Sequence, residues 1–235
     1  MKQKYKAITR IEDKIRDSKF ADTVLSMFKV GLSVTTYAPF ANLISEFIPS
    51  RRLLRLEKFA KDLADDLKNI EDKIDTDFIT TEEFAFIFEN CFKAASECYQ
   101  QEKLKSFRAI IINSAINDRF TNYEREFYLI LTNSLTEFHI KVLKFICYPN
   151  KYLSENNISE NIINGEFSTF IMKVFEGIML GTITLAFDDL FKYGLIDKDF
   201  KSFNLIINLT DLKSINNSIT YYGAACYHFI SIEEN

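Results

Sequence analysis

Two histidines are the only side chains of this 235-residue chain that ordinarily titrate near neutral pH. His139 falls at the start of a predicted helix, and His228 lies in an apolar segment beside Cys226. Cys226 and His228 are two residues apart, so on a helix they point in different directions and cannot form a nucleophile–base pair. The adjacent carboxylates Asp188 and Asp189 diverge as well. The chain presents no catalytic set of residues, and we expect a non-enzymatic protein.

Motifs for nucleotide and metal binding are also missing from the sequence. It has no G-x-x-x-x-G-K, G-x-G-x-x-G, G-x-S-x-G or H-E-x-x-H pattern, and only six glycines could build phosphate-binding loops. Cys91 and Cys98 are seven residues apart, which suits core packing rather than a C-x-x-C metal site. We therefore expect no cofactor and no metal. Four scattered cysteines and an N-terminus without a secretory signal favour a reduced, cytoplasmic setting.

Arg51, Arg52 and Arg55 form the sharpest polar cluster in the first half of the chain. They stand on the first turns of a predicted helix, where the helix dipole favours acidic side chains. An exception of this kind can mark a functional contact. Two interpretations stay open: ion pairs with acidic residues of the same helical bundle, or contact with lipid headgroups or an acidic partner.

The segment before this cluster, residues 20–48, is the most apolar part of the first half. Pro39 bends it, and neither side of the proline reaches the roughly 20 apolar residues of a membrane-spanning helix. The segment predicts a hairpin of two short helices, either buried in the protein core or inserted into a membrane. The predicted membrane or partner contacts are Val30, Leu32, Phe40, Ile44, Arg51, Arg52 and Arg55.

Helical periodicity continues through the first half of the chain. Apolar residues recur at three- and four-residue steps over residues 51–74 and 122–134, and each of these segments predicts an amphipathic helix. Thr80 and Glu83 have the capping-box spacing that begins another helix, which reaches about residue 99. A polar pair at residues 100–101 leaves open whether that helix continues. These elements predict a helical bundle over residues 1–135.

The second half predicts a different order of elements. Thr136 and His139 open a helix over residues 137–147, and Pro149 closes it. A polar loop follows at residues 150–165. The remaining predicted elements are helices at 167–175 and 182–193, strands at 203–209 and 218–222, and a terminal helix at 223–230. Gly194 is placed as the left-handed cap of the second of these helices. The whole chain is expected to be mainly α, with a winged-helix-like α+β domain at residues 136–235 whose wing has two strands.

The charge of this second half argues against nucleic acid as its partner. The chain has a formal net charge of −4, and no Arg follows Arg125. The predicted recognition helix at residues 182–193 carries Asp188 and Asp189, which repel phosphate. Winged-helix domains also bind proteins, so we favour a protein contact. The Gly177-x-x-x-Gly181 spacing could let two helices approach closely.

Several of these segments resemble a known family. The run Ile48-Pro49-Ser50-Arg51-Arg52-Leu53 resembles the N-terminal pattern of uncharacterised bacterial and prophage-encoded helical proteins. Three later motifs are similar to the abortive-infection alpha family: Leu135-Thr136-Glu137, Asp189-Leu190-x-x-x-Gly194-Leu195-Ile196 and Ile219-Thr220-x-x-Gly223. The resemblance implies a winged-helix-like C-terminal domain and a bacterial phage-defence setting, and it brings no catalytic residue. The sequence departs from the pattern at Ser50 and in the long polar loop after Pro149.

These observations lead to one main expectation and two alternatives. The first is a cytoplasmic interaction or adaptor protein that acts in phage defence through a protein partner or a second copy of itself. The second is an effector peripheral to the inner membrane that inserts the hairpin at residues 20–48. The third is a winged-helix regulator that binds nucleic acid, which the acidic second half disfavours.

Overall fold

The computed structural model of the protein describes residues 50–116, 119–159, 166–206 and 212–232. Within these residues the chain is mainly helical, with eleven α-helices and no strand beyond one antiparallel bridge between Ile196 and Ile219. The chain divides into two compact units, Met1–Asn133 and Ser134–Asn235. A compact unit need not fold on its own, so the division into two domains at residue 135 stays a prediction.

Four helices and two short 3-10 turns make up the described part of the first unit. They are α1 (Ser50–Lys68), the turns Glu71–Lys73 and Phe78–Thr80, α2 (Glu82–Glu97), α3 (Gln101–Ile116) and α4 (Asn122–Ser134). The helices α1, α2 and α3 pack on one another. The buried stripe of α1 contains Leu56, Phe59, Leu63 and Leu67, which follow the predicted three- and four-residue steps.

The boundaries of these helices differ from the expected ones at two places. α1 ends at Lys68 rather than near residue 74, because the backbone tightens there into i→i+3 hydrogen bonds. The predicted Thr80–Glu83 capping box is wrong by one residue. Thr81 is the N-cap of α2, and its hydroxyl accepts the backbone N–H of Phe84 at 3.2 Å.

Seven helices make up the described part of the second unit. They are α5 (Glu137–Cys147), α6 (Pro149–Glu155), α7 (Phe167–Val174), α8 (Leu180–Lys192), α9 (Phe200–Ile206), α10 (Lys213–Asn216) and α11 (Tyr221–Phe229). α5 lies at the centre, in contact with α6, α8, α10 and α11. Its side chains Val142, Phe145 and Ile146 are fully buried, which is the reason for its apolar face.

The predicted loop at residues 150–165 is wrong in its first part. Pro149 does not only end α5; it is the first residue of α6, where its missing N–H and fixed φ suit a helix start. Tyr152 and Leu153 of α6 are buried against the unit. Residues 160–165 lie outside the described residues.

The predicted two-stranded wing is not seen in the described residues, and residues 203–206 of its first strand are helical. Asp199 accepts the backbone N–H of Ser202 at 2.8 Å at the start of α9. Phe203 stacks on Phe167 with ring centroids 4.9 Å apart, a contact that the helical conformation provides. The second predicted strand is reduced to the bridge at Ile219, because α11 already begins at Tyr221.

Candidate interaction surface of the second unit

Exposed apolar side chains cluster at the turn between α7 and α8. Ile178, Met179, Leu180 and Leu185 are 40%, 78%, 36% and 61% exposed, and Met172 of α7 is 42% exposed. Single exposed apolar residues are ordinary on protein surfaces, whereas a run of them around one helix start is a candidate interaction site. We call Ile178, Met179, Leu180, Gly181 and Leu185 the α8 surface.

The buried face of α8 explains why this surface points outward. Ile183, Phe187 and Leu190 are fully buried, and α8 packs on α5 and α9. Helical geometry turns the residues between them away from that core, so Gly181 and Leu185 lie one turn apart on the opposite face. The packing of the unit therefore leaves the start of α8 exposed.

Gly181 has no packing role within the described chain. A Cβ atom built at Gly181 meets no heavy atom within 4 Å, although the residue lies inside a helix. Gly177 has a φ of +82° and lies in the turn before α8, where glycine is the favoured residue. The Gly177-x-x-x-Gly181 spacing is thus not a motif of one helix, and only Gly181 leaves its helix backbone accessible.

The charges around the α8 surface are few and mostly satisfied within the unit. No Lys or Arg occurs from Val174 to Phe191. Asp188 accepts the backbone N–H of Phe200 at 3.1 Å, and Asp189 forms an ion pair with Lys192 at 3.2 Å. The helix that a winged-helix protein would place in the DNA major groove therefore offers phosphate only Lys192, its last residue, which is already paired with Asp189.

A group of polar side chains links the start of α5 to α8. Nδ1 of His139 accepts the backbone N–H of Thr136 at 3.2 Å, which completes a capping box at the predicted start of α5. In the neutral ring the proton then sits on Nε2, which lies 3.4 Å from Oδ2 of Asp189. Burial raises the pKa of Asp189, but hydrogen bonds from Lys192 and His139 outweigh it and the pKa lies below the usual value.

This polar group has the residue types of a catalytic triad but not its arrangement. The Thr136 hydroxyl lies 2.6 Å from Nδ1 of His139 and also accepts the His139 backbone N–H as the cap of α5. A nucleophile needs a hydroxyl that is free to attack and a nearby place for the substrate, whereas this hydroxyl serves the helix. The arrangement holds two helices together.

The motifs that carry the family resemblance meet where α8 ends and α11 begins. Thr220 donates its hydroxyl to the carbonyl of Gly194 at 2.7 Å and accepts the backbone N–H of Gly223 at 2.8 Å. A side chain at Gly223 would overlap the carbonyl oxygen of Leu195 and lie 2.8 Å from Cδ1 of Ile219. These residues are required by the close approach of backbone segments, which is a structural reason for their identity.

Gly194 confirms the predicted cap of α8. Its φ is +71°, and the backbone N–H of Leu195 returns to the carbonyl of Leu190 at 3.0 Å. This is the hydrogen-bond pattern of a left-handed C-terminal cap.

The arginine cluster and the hairpin lie mostly beyond what the structure describes. Val30, Leu32, Phe40 and Ile44 fall outside the described residues, and so do the side chains of Arg51 and Arg52. Arg55 is half-buried, and its guanidinium donates to the carbonyl of Ser96 at 3.0 Å. Because Ser96 lies in the last turn of α2, this contact satisfies a helix-terminal carbonyl.

Sequence reasoning missed a buried arginine in the first unit. The guanidinium of Arg125 lies 4.2 Å from the centre of the Phe78 ring and 3.2 Å from Oε1 of Glu83. These residues line an open cleft together with Asp75, Phe120, Thr121, Asn122, Tyr123 and Glu126. The signal in the sequence was an arginine on the apolar face of a predicted helix.

The core position expected for Cys91 and Cys98 is confirmed for Cys91 but not fully for Cys98. Cys91, Cys147 and Cys226 are buried, and Cys98 is half-buried. Burial raises the pKa of Cys147 to about 12, so its thiol is protonated and unreactive at neutral pH.

The described residues contain no cluster of side chains suited to a metal ion, and none of their helices could span a membrane. No protein family, curated protein or solved structure matches the chain.

Proposed function

We propose that the protein is a non-enzymatic interaction protein that binds a protein partner through the α8 surface. The observation that carries the proposal is the run of exposed apolar side chains at the start of α8, without a single basic residue from Val174 to Phe191. Burying apolar side chains against a partner lowers the free energy, whereas a surface without cations has no electrostatic attraction to phosphate.

A winged-helix-like second unit forms part of this proposal. α7, a short turn and α8 follow one another as in a helix-turn-helix, and the Ile196–Ile219 bridge comes directly after α8. In this arrangement α8 corresponds to the recognition helix. Its apolar start fits a protein surface better than a DNA groove.

The two alternatives have less support from the described residues. A nucleic-acid regulator needs cations on α8, and α8 carries two aspartates and only Lys192 at its end. A membrane-inserting effector depends on residues 20–48, which lie outside the described residues, and it remains a prediction from sequence. Action in phage defence and a cytoplasmic location are proposed from the resemblance to abortive-infection proteins and from the cysteine pattern.

A photo-crosslinking amino acid placed at residue 185 tests the proposal in bacterial cells. The matched control carries the same amino acid at Tyr221, which is 94% exposed on α11 of the same unit. We expect discrete protein adducts from position 185 and none of these from position 221. Identical adducts from both positions, or none from position 185 with and without phage infection, would overturn the proposal.

A further inference from the structure

One side of α4 in the first unit carries a row of exposed apolar side chains. Tyr123, Phe127 and Ile130 are 85%, 44% and 57% exposed, and their spacing of four and three residues places them along one side of the helix. We call these three residues the α4 stripe. We propose that residues 20–48 of the same chain bind the α4 stripe and cover it.

The α4 stripe is a second apolar side of its helix. Tyr128, Leu129 and Thr132 lie on the other side of α4 and are at most 2% exposed, so that side already packs in the unit. An amphipathic helix with one buried side has polar residues opposite it, whereas a helix that is apolar all round is packed all round. The composition of α4 therefore indicates a further layer of packing over the stripe.

Contacts within the first unit show where the chain enters α1. The start of α1 lies beside the end of α2, since Arg55 donates to the carbonyl of Ser96 at 3.0 Å. Three residues join α2 to α3, and Lys103 at the start of α3 donates to the carbonyl of Asn133 at 2.8 Å. Asn133 belongs to the last turn of α4. The chain therefore enters α1 at the end of the unit where α4 ends.

The length of the segment puts the α4 stripe within its reach. Residues 20–48 stop one residue before Ser50, the first residue of α1. The stripe extends over about 10 Å along α4, at about 1.5 Å for each residue of a helix. As a helix, the arm from Phe40 to Ile48 would extend over about 13 Å, and the arm before Pro39 over about 28 Å. Either arm can cover the stripe from this entry point.

The apolar pattern of the segment matches the α4 stripe. Phe40, Ile44 and Phe47 have the same spacing of four and three residues, which a helix would place along one side. Helices that bind apolar surfaces use bulky anchors at this spacing. Burying both sets of side chains against each other removes them from water together.

The charges around this contact do not oppose it. Residues 127–134 of α4 contain no charged side chain, and the charged residues 124–126 lie at the other end of that helix. Glu46, the one charged residue after Pro39 in the segment, comes four residues before α1. The described charges at that end of the unit are three cations and two carboxylates: Arg55, Lys103, Lys105, Glu97 and Glu102. Glu46 therefore meets no excess of negative charge there.

Photo-crosslinking of the purified full chain identifies what covers the α4 stripe. A benzophenone amino acid replaces Phe127, and the control position is Tyr99, which is 75% exposed between α2 and α3 where the chain enters α1. We expect position 127 to become attached to peptides from residues 20–48 in protein that keeps its 27.4 kDa mass. Position 99 should give several-fold less of this product. The control separates binding to the stripe from nearness to the entry point.

Trypsin gives a second measurement, because Lys29 is the single cleavage site in the sequence of residues 20–48. Cleavage after Lys29 should be slow in the wild type and about tenfold or more faster in Phe127→Asp, which puts a charge into the covered stripe. Tyr99→Asp should be cleaved at the wild-type rate. Circular dichroism checks that both variants keep their helices, and the crosslinking result does not depend on either variant.

Several results would overturn the inference. Adducts of twice the monomer mass would put a second copy on the stripe, and no adduct with residues 20–48, or equal adducts from positions 99 and 127, would remove the binding. A helical Phe127→Asp variant that is cleaved like the wild type would do the same. Rapid wild-type cleavage at Lys29 that anionic vesicles prevent would assign the segment to a membrane. None of these outcomes concerns the α8 surface, so the proposed function is tested separately.

Discussion

At the scale of single residues, the identity of Gly223 is set by backbone that passes within contact distance of it. Its backbone N–H bonds to Thr220, and its Cα faces the Leu195 peptide, whose carbonyl carbon would lie 2.7 Å from a Cβ. Gly181, in contrast, faces open space. Two glycines of the same unit, both in helices, thus have opposite structural requirements.

Gly223→Ala should therefore destabilise the protein, because backbone atoms cannot yield to the new methyl group as a flexible side chain could. We expect a loss of about 2 kcal/mol or more in the free energy of unfolding, since overpacking of this kind costs about 1–3 kcal/mol and here meets backbone. Urea denaturation at low protein concentration measures it. Gly181→Ala is the control and should be neutral or stabilising by up to about 1 kcal/mol. Equal effects of the two substitutions would contradict this account of Gly223.

At the scale of elements, the contact between α5 and α8 includes a carboxylate, Asp189, beside the packing of apolar side chains. The folded protein holds the pKa of Asp189 below its usual value, through Lys192 and His139 and against the effect of burial. A carboxyl group with a lowered folded pKa adds stability that is fully present above its unfolded pKa and is lost as the pH falls through the folded pKa. This contact should therefore weaken only under acidic conditions.

Asp189→Asn should reduce the acid sensitivity of the protein. Between about pH 5 and pH 2, the wild type should lose more of its unfolding free energy than the variant, because only the wild type must protonate this group. Urea midpoints measured across that range for both proteins give the comparison. Parallel curves for the two proteins would show that Asp189 does not stabilise the α5–α8 contact through its charge.

The elements also show which parts of the fold the sequence could predict. α4 was predicted with the bounds it has, residues 122–134, and the cap of α5 and the C-terminal cap of α8 are confirmed. These features depend on local periodicity and on residues three to five positions apart. Local patterns are what a single sequence displays most directly.

The prediction of a two-stranded wing was wrong because contacts between residues far apart in the chain decide the structure of this segment. Phe203 and its neighbours have the aromatic and β-branched composition of a strand. Stacking of Phe203 on Phe167, its edge-to-face contact with Phe187 and the cap at Asp199 nevertheless select a helix. The contacts with Phe167 and Phe187 join residues far apart in the chain. The sequence could not predict the exposure of the α8 surface for the same reason. An apolar residue such as Leu185 is expected in the core until the elements packed around its helix are known.

At the scale of the whole molecule, charge decides between classes of partner. Eight lysines and twelve acidic residues follow Asn133, so the net charge of −4 arises entirely in the second unit. Proteins that bind DNA without sequence preference neutralise several phosphates with Lys and Arg. The second unit cannot supply such a surface at α8.

We therefore expect no saturable binding of the full chain to random duplex DNA at about 0.15 M salt. Fluorescence anisotropy with a labelled duplex measures this directly, and a titration at low salt tests for weak electrostatic binding. Tight binding with a steep salt dependence would contradict the charge argument and favour the regulator alternative.

We propose the α8 surface as the place where this protein meets its partner. Its most direct test is the size of the protein in clarified bacterial lysate, measured by gel filtration with immunodetection for the wild type, Leu185→Lys and Tyr221→Lys. We predict that the wild type and Tyr221→Lys elute above the 27.4 kDa monomer and that Leu185→Lys elutes as the monomer. A wild type at the monomer position, or a Leu185→Lys variant that elutes with it in a larger complex, would contradict the claim.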